Sequence, residues 1–360
     1  MKRLPRAICV ATVPLLVLAG CSTGSDTGLS SLTTSSSVAP SPTSISATPT
    51  PAPPPPPAPT PTPEPAPAPP PVDPLTGGAV VAGPVIGVKI DNTSSGLPQY
   101  GLSDADVVYV EQVEGGLTRL LAVFHSTLPT EVGPVRSVRS TDAELLPVFG
   151  APALVFSGGA GGPVSALHAT SAVAVSEDNG DPGFSRSSAA RSPYNLHADL
   201  QEIASSVGGI SQPNNIGFVF AATDPRVDAG SAARSLSVQF QAARVEFAFT
   251  DGQYRLQRSG DPQSDAEDHP VLADNVLFQS VDFEPDGTVD SVGSPSFISH
   301  TVGSGTFRLF RDGHEISGTW NRPAADQPTQ YLDGAGQPVP FKPGKTWVAL
   351  VPSSASVDVS

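Results

Sequence analysis

The sequence contains almost no cysteine. Among its 360 residues, only Cys9 and Cys21 carry thiols. Cys9 lies in an N-terminal apolar segment and Cys21 in a lipidation motif, so the part of the chain that folds has no free thiol. This excludes internal disulfides and a cysteine nucleophile. Cysteine-dependent transpeptidases and papain-like peptidases are therefore excluded as function classes.

Signatures of other enzymes are also missing. Beyond residue 24, which ends the lipidation segment, the sequence has no G-x-S-x-G elbow, and it has no S-x-x-K pair and no H-E-x-x-H motif anywhere. The six histidines are scattered without the spacing of metal ligands. We therefore predict neither a metal nor a cofactor. Because a catalytic triad also assembles from residues far apart in sequence, the missing motifs lower the expectation of an enzyme without excluding one.

Basic residues are scarce. The chain has 19 Lys and Arg against 34 Asp and Glu, a formal net charge of −15. Three of the basic residues precede Cys21, so cleavage at that point leaves 16 basic against 34 acidic residues, a net charge of −18. Such a surface repels nucleic acid and anionic lipid headgroups. We therefore predict no nucleic-acid partner.

The sequence begins with the features of a lipoprotein signal peptide. Residues 18–21 read Leu-Ala-Gly-Cys, and they follow a basic start and an apolar segment that is too short to span a bilayer comfortably. We predict that residues 1–20 are cleaved and that Cys21 carries acyl chains such as palmitate. The membrane is then a partner through lipid on Cys21. The predicted location is the extracytoplasmic face of the bacterial cell membrane.

A linker is predicted over residues 21–84. It is Ser/Thr-rich and then Pro/Ala/Thr-rich, with five consecutive prolines at 53–57. This composition predicts disorder, since it buries too little apolar surface to offset ordering entropy. Roughly 35 Pro-rich residues at about 3.1 Å each extend on the order of 100 Å. The predicted role is a spacer; a ligand for proline-binding domains and a site of Thr O-glycosylation are the alternatives.

The remaining chain is predicted to be an α+β protein. Residues 85–235 mix strands with helices, including a helix at Asn195–Gly208 capped by Asn195 and a shorter one capped by Thr141 or Asp142. Residues 236–353 show alternating strands, such as Val238–Phe249, separated by Asp-Gly turns. The prediction is an N-terminal mixed α/β domain followed by a mainly antiparallel β domain.

Several motifs occur in a familiar order. They are Val88-Lys89-Ile90-Asp91-Asn92, Gly101 to Tyr109, Val113 to Arg119, Val132 to Arg139, Gly318-Thr319-Trp320, and Pro343 to Trp347. In this order they resemble the YerB-like bacterial lipoprotein family, over roughly residues 84–352. The resemblance implies a two-domain tethered lipoprotein, and it implies no reaction because the family has no established activity.

Two positions depart from the family pattern. Leu97 precedes Pro98 where the family tends to have arginine, and Tyr194 follows Pro193 where it tends to have histidine. A histidine at the second position is therefore not a required catalyst in this chain. His197, three residues further on, is the candidate substitute.

Two glutamates near a Gly-Gly turn raise the question of a catalytic pair. Glu111 and Glu114 resemble the paired carboxylates of glycoside hydrolysis. With a two-residue loop, Glu114 lies opposite Leu117 and Glu111 lies opposite Leu120, so the two glutamates point to opposite faces. We therefore expect a structural Glu114–Arg119 pair; a longer loop changes this register.

Two arginines follow the turn at Gly133-Pro134. Arg136 and Arg139 suit bidentate binding of a carboxylate or phosphate; the alternative is that they pair with local acids. The glycine-rich run 157–162 is either an anion cradle or a tight strand-to-helix turn. Trp320 and Trp347 are either core residues or stacking platforms for sugars.

Two functions are compatible with these features. The first is a non-catalytic binding module for a cell-wall glycan, peptide or envelope protein; the alternative is an envelope hydrolase or transferase that uses the same carboxylates and arginines. A structural scaffold is a third possibility. The candidate ligand-binding residues are Asp91, Asn92, Glu111, Glu114, Arg119, Arg136, Arg139 and Asn195.

Overall fold

A computed structural model describes residues 71–289 and 293–360. The predicted signal peptide, Cys21 and nearly all of the predicted linker lie outside the described residues. Within the described ranges, no helix is long and apolar enough to cross a membrane.

The N-terminal part alternates strands and helices. Its helices are α1 (Ser140–Leu145), α2 (Gly161–His168), α3 (Leu200–Ser206) and α4 (Pro225–Asp228). Its strands are β1 (Ile86–Asp91), β2 (Val107–Gln112), β3 (Thr118–Phe124), β4 (Ala153–Phe156), β5 (Val173–Ser176), β6 (Phe184–Arg186), β7 (Leu196–Ala198), β8 (Val219–Phe220) and β9 (Ser231–Ala232).

The C-terminal part consists of strands joined mainly by turns. They are β10 (Ser235–Gln239), β11 (Arg244–Thr250), β12 (Gln253–Arg258), β13 (Asp261–Pro262), β14 (Leu272–Ala273), β15 (Asn275–Val281), β16 (Phe283–Val289), β17 (Pro295–Ser299), β18 (Gly303–Arg311), β19 (His314–Arg322), β20 (Gln330–Leu332), β21 (Pro340–Phe341), β22 (Thr346–Pro352) and β23 (Ser356–Val359). Asp251 and Asp312 adopt positive φ angles before glycines, which closes two of the hairpins.

One large mixed sheet contains strands from both parts. Among the described residues it has eleven strands, ordered β20-β19-β18-β15-β22-β2-β3-β1-β4-β5, with β9 beside β19. The C-terminal strand β22 runs parallel to β15 on one side and to β2 on the other. The two parts of the sequence therefore share one sheet, and the predicted boundary at residue 235 stays a prediction.

Both faces of this sheet are covered, which is why β1, β2 and β3 are buried throughout. On one face, Val88 and Val110 pack in a core with α3 and a second sheet of β10–β14 and β23. On the other face, Val107 and Leu121 pack in a core with α1 and α2. The architecture is the predicted α+β class, with a mixed N-terminal part and a mainly antiparallel C-terminal part.

Two of the predicted helix boundaries are wrong. The helix predicted at Asn195–Gly208 begins only at Leu200, because residues 196–198 form β7. Its cap is Asp199, whose carboxylate accepts from the backbone N–H groups of Gln201 and Glu202 at 2.9 Å each. Helix α1 begins after Arg139, and Asp142 lies at its third position with Oδ2 accepting from the N–H of Arg139 at 2.7 Å.

The strand predicted at Val238–Phe249 is a hairpin of β10 and β11. The register predicted for the β2–β3 hairpin is also wrong by one residue. Three residues lie in its loop, Val113 pairs with Leu117, and Glu111 therefore lies opposite Arg119. Directly opposed residues point to the same face, so Glu111 and Arg119 share a face.

Candidate functional site

An open cleft lies at the tip of the β2–β3 hairpin. Its volume is about 460 Å³, and we call it the arginine cleft. Its lining residues are Val113, Glu114, Leu117, Arg119, Arg136, Ser137, Arg139, Gly158, Gly159, Ala160 and Ser296. Three arginines against one glutamate make this lining cationic in an acidic protein.

Backbone hydrogen bonds position the two arginines that precede α1. The N–H of Arg136 donates to the carbonyl of Lys89 in β1 at 2.8 Å, and its carbonyl accepts from Ser157 at 3.0 Å. The N–H of Val138 donates to the carbonyl of Gly158 at 3.1 Å. The segment is thereby held between β1 and the β4–α2 turn, so Arg136 and Arg139 are presented by a constrained backbone.

Buried and half-buried carboxylates hold the guanidinium groups. Asp91, fully buried at the end of β1, contacts Nη1 of Arg136 through Oδ2 and lies 3.6 Å from Nη1 of Arg119. Glu114 accepts from Nε and Nη2 of Arg139 at 2.9 and 2.7 Å. Oε1 of Glu114 accepts from Ser296 at 2.6 Å. The predicted Glu114–Arg119 pair is therefore replaced by Glu114–Arg139.

Arg119 differs from the other two arginines. Its side chain is 7% exposed, and its Nε has no hydrogen-bond partner within the described residues. Burial lowers the pKa of Arg119 to about 10, and the nearby charges of Arg136 and Arg139 act in the same direction while Asp91 opposes them. An anion bound in the cleft would relieve this repulsion.

Glu111 lies behind the cleft in a fully buried ionic cluster. Nζ of Lys89 contacts Oε1 of Glu111 and donates to Oδ1 of Asp142 at 2.8 Å, and none of these three side chains is exposed. Burial and then the charge of Asp142 raise the pKa of Glu111, Lys89 opposes both, and the net pKa is about 7. Glu111 does not line the cleft, so the geometry does not place two carboxylates around one bond.

A second cleft adjoins the first at the hairpin tip. Its volume is about 470 Å³. Its lining residues are Asn92, Thr93, Ser94, Leu117, Ala242, Ala243, Arg244, Glu246, Arg258 and Ser259. Leu117 lines both clefts and is 37% exposed.

The eight candidate residues are thus only partly brought together. Glu114, Arg119, Arg136 and Arg139 line the arginine cleft, and Asn92 lines the second cleft. Asp91 and Glu111 lie behind them. Asn195 lies outside both clefts. Its side chain accepts a hydrogen bond from Arg186 and donates one to the carbonyl of Ser187.

Sequence reasoning missed several residues of this region, among them Lys89, Asp142, Arg258 and Ser296. A lysine inside the apolar strand β1 was a signal, because a charge that cannot reach water needs a buried partner. Ser296 and Arg258 had no such signal, since they reach the clefts only through the sheet arrangement.

The other candidate features are structural, except that Gly158, Gly159 and Ala160 of the run 157–162 also line the arginine cleft. Trp320 and Trp347 are buried in the core, as one of the two interpretations predicts. His197 is buried, and its Nδ1 lies 2.6 Å from Glu131, so it does not line the arginine cleft. The run 157–162 forms the turn between β4 and α2, where the N–H of Gly158 donates to Asp178 at 2.6 Å. No group of three or more potential metal ligands occurs within the described residues.

The fold and the cleft define a class of protein. It is an α+β protein in which both halves of the chain contribute strands to one mixed sheet. A cleft lined by arginines lies at the tip of the β2–β3 hairpin of this sheet.

Comparisons with known proteins identify the family. The family model described as "Protein of unknown function (DUF3048) N-terminal domain" matches residues 75–211, and the model of the C-terminal domain matches residues 236–348. The chain therefore belongs to this family of YerB-like proteins, and the resemblance stated from the sequence motifs is confirmed.

Two individual matches agree with this assignment. The chain is 27% identical over 296 residues to "Putative lipoprotein YerB" of Bacillus subtilis (strain 168), covering 76% of this chain and 83% of that protein. It also matches the crystal structure of the YerB protein from Bacillus subtilis with a TM-score of 0.67 and 24% identity, over 80% of this chain and 99% of that one. The structural match supports the fold.

Proposed function

We propose that this protein is a lipid-anchored envelope lipoprotein whose arginine cleft binds an anionic group, a carboxylate or phosphate, of a cell-wall glycan. Binding is non-catalytic. Anchoring rests on the lipobox ending at Cys21 and on the similarity to a protein named as a lipoprotein. The Pro-rich segment serves as the spacer that lets the cleft reach the wall.

One observation carries the binding proposal. Arg119, Arg136 and Arg139 converge on one open cleft, and Nε of Arg119 lacks an acceptor within the described residues. The charges of Arg136 and Arg139 disfavour the charged form of the buried Arg119, and an anion in the cleft offsets this repulsion. Guanidinium groups bind carboxylate and phosphate in a bidentate manner, which gives the cleft its ligand class.

The charge distribution supports the same ligand class. After cleavage before Cys21 the protein has 16 basic and 34 acidic residues, and this net charge of −18 repels polyanions. Only an anion that fits the cleft gains from the arginines, so the acidic surface disfavours unspecific binding. The proposal is therefore selective binding of an anionic group, not general attraction to polyanions.

Co-sedimentation with purified cell-wall material tests this proposal. We expect wild-type protein to pellet with the wall and the double variant Arg136→Ala, Arg139→Ala to stay in solution. The matched control removes two arginines that form exposed ion pairs outside both clefts, Arg186→Ala with Arg308→Ala. This control should pellet like wild type.

Two outcomes contradict the proposal. One is that wild-type protein is not retained by wall material. The other is that the Arg136 and Arg139 variant is retained as well as wild type while its thermal unfolding shows that it is folded. Retention by envelope proteins but not by wall would shift the ligand to a protein partner and overturn the glycan assignment.

A further inference from the structure

The two clefts adjoin at the tip of the β2–β3 hairpin. Gly116 lets this tip approach the β10–β11 loop, because a Cβ there would lie 2.5 Å from Cβ of Gln241. The N–H of Ala242 also donates to the carbonyl of Gly116 at 2.9 Å. Leu117 follows directly and lines both clefts. The hairpin tip is therefore a ridge between two binding surfaces that meet at one residue.

The second cleft also presents cationic groups. Arg258 donates through Nη2 to Oδ1 of Asn92 at 3.1 Å, and burial lowers its pKa while Asp91 opposes this. Arg244 is more exposed, and its Nε lies 2.8 Å from Oε1 of Glu246. Only one carboxylate lines the cleft beside these two guanidinium groups. The lining on the far side of the ridge therefore has two arginines and one glutamate, an excess of one positive charge.

Neither cleft has the features of a neutral sugar site. Among the residues that line the two clefts there is no aromatic ring, and sugar rings typically stack on aromatic faces. The lining instead offers guanidinium groups and hydroxyls on both sides of Leu117. Recognition therefore depends on anionic groups that recur at intervals along a ligand.

We propose that the two clefts together hold one linear polymer with recurring anionic groups, a polyphosphodiester or a polyuronate, which crosses the ridge at Leu117. This inference rests on the proposed function of the arginine cleft and extends it to a ligand that occupies two sites. Two linked sites raise affinity through effective concentration once the ligand is long enough to reach both.

Chain-length dependence of binding to the full-length protein is the test. The probes are inorganic phosphate, short and long linear polyphosphates, and oligogalacturonates of matching charge number, all at one ionic strength. For the probe whose anionic group the clefts bind, we expect the affinity per molecule to rise at least about tenfold once the probe is long enough to reach the second cleft.

Variants on the two sides of the ridge separate the sites. Arg258→Ala, or Arg244→Ala as a less buried alternative, should weaken long-chain binding by about tenfold, the effect of one lost charge-assisted hydrogen bond. Short-chain binding should be unchanged. The Arg136→Ala, Arg139→Ala variant should bind short and long chains more weakly than wild type does. The Arg186→Ala, Arg308→Ala control should bind short and long chains as wild type does.

The outcomes distinguish this inference from the proposed function. Binding of short probes with no gain for long chains, or long-chain binding unaffected in folded Arg258 and Arg244 variants, overturns the two-cleft polymer alone. Absence of binding by every probe overturns both. A gain seen only with polyphosphates assigns phosphate as the recurring group of the polymer, and a gain seen only with oligogalacturonates assigns a uronate.

Discussion

At the residue scale, buried carboxylates hold the arginines of the arginine cleft in position. Asp91 is fully buried and contacts Arg136, and it is also the acid nearest to Arg119. Its Oδ1 accepts from the N–H of Thr93 at 2.7 Å, which fixes the carboxylate itself. Asp91 is thus a positioning residue for the cleft and not a ligand-facing one.

Replacing this carboxylate should destabilise the protein. Asp91→Asn keeps the size of the side chain but leaves two partly or largely buried guanidinium groups without their counter-ion. We expect the free energy of unfolding to fall by about 3 kcal/mol or more in urea titration. Glu177→Gln is the control, because Glu177 forms an exposed pair with Arg186 and its loss costs about 1 kcal/mol or less. Equal losses in the two variants would contradict this account.

Glu111 gives a second residue-level prediction, a pH dependence of stability. Its pKa rises from 4.5 to about 7 on folding, so the folded state binds this proton more tightly than the unfolded state. Stability from this group is present at low pH and is lost as pH rises through about 7. We compare the free energy of unfolding of wild type with that of Glu111→Gln. The difference, wild type minus variant, should therefore decrease between pH 4.5 and pH 7.

Unfolding titrations of both proteins across this pH range measure the difference. The decrease should be at most roughly 3 kcal/mol, because one pKa unit corresponds to about 1.4 kcal/mol. A difference that is flat or that increases with pH would show that folding does not raise the pKa of Glu111.

At the element scale, helix α3 depends on its cap more than on its length. It has seven residues, and Asp199 satisfies two of its N-terminal N–H groups. Asp199→Ala should lower the free energy of unfolding by about 1 kcal/mol, whereas Asp199→Asn, which keeps a capping oxygen, should restore most of it. Thermal unfolding of the two variants provides the comparison. If the Asn variant is as unstable as the Ala variant, capping is not the role of this residue.

Local patterns identified most of the strands around the site but not their ends. The apolar runs that form β1, β2 and β3 were visible because β-rich residues and turn signals bounded them. The helix boundary at Asn195 was wrong because a helical stripe of apolar residues does not reveal that residues 196–198 pair with β6. Local propensity favoured a helix for these residues, but strand pairing in the folded protein makes them β7.

The candidate site was predictable in part for a similar reason. Arg136, Arg139 and Glu114 stood out because charged residues next to turns are accessible to ligands. The register of Glu111 was wrong because a three-residue loop, not a two-residue one, closes the hairpin. Ser296 and Arg258 join the clefts across more than 160 residues of sequence, and no local pattern encodes such a contact.

At the scale of the whole molecule, anchoring and binding are separable. If Cys21 carries the only membrane anchor, Cys21→Ser should move the protein from the membrane fraction to the soluble extracytoplasmic fraction. Binding to wall material should be unchanged, because the clefts are built from residues 92–296. Fractionation followed by co-sedimentation measures both. Retention of the Cys21→Ser protein in washed membranes that lack wall material would contradict lipid anchoring.

Binding of the anionic ligand is assigned to the three arginines of the arginine cleft. Nuclear magnetic resonance of the arginine Nε–H groups, during titration with anionic wall fragments, tests it most directly. We expect the signals of Arg119, Arg136 and Arg139 to shift with one binding curve, because the ligand lies against all three guanidinium groups. Signals of Arg186 and Arg308 should stay in place. Saturating binding that leaves the three cleft signals unchanged would contradict the account.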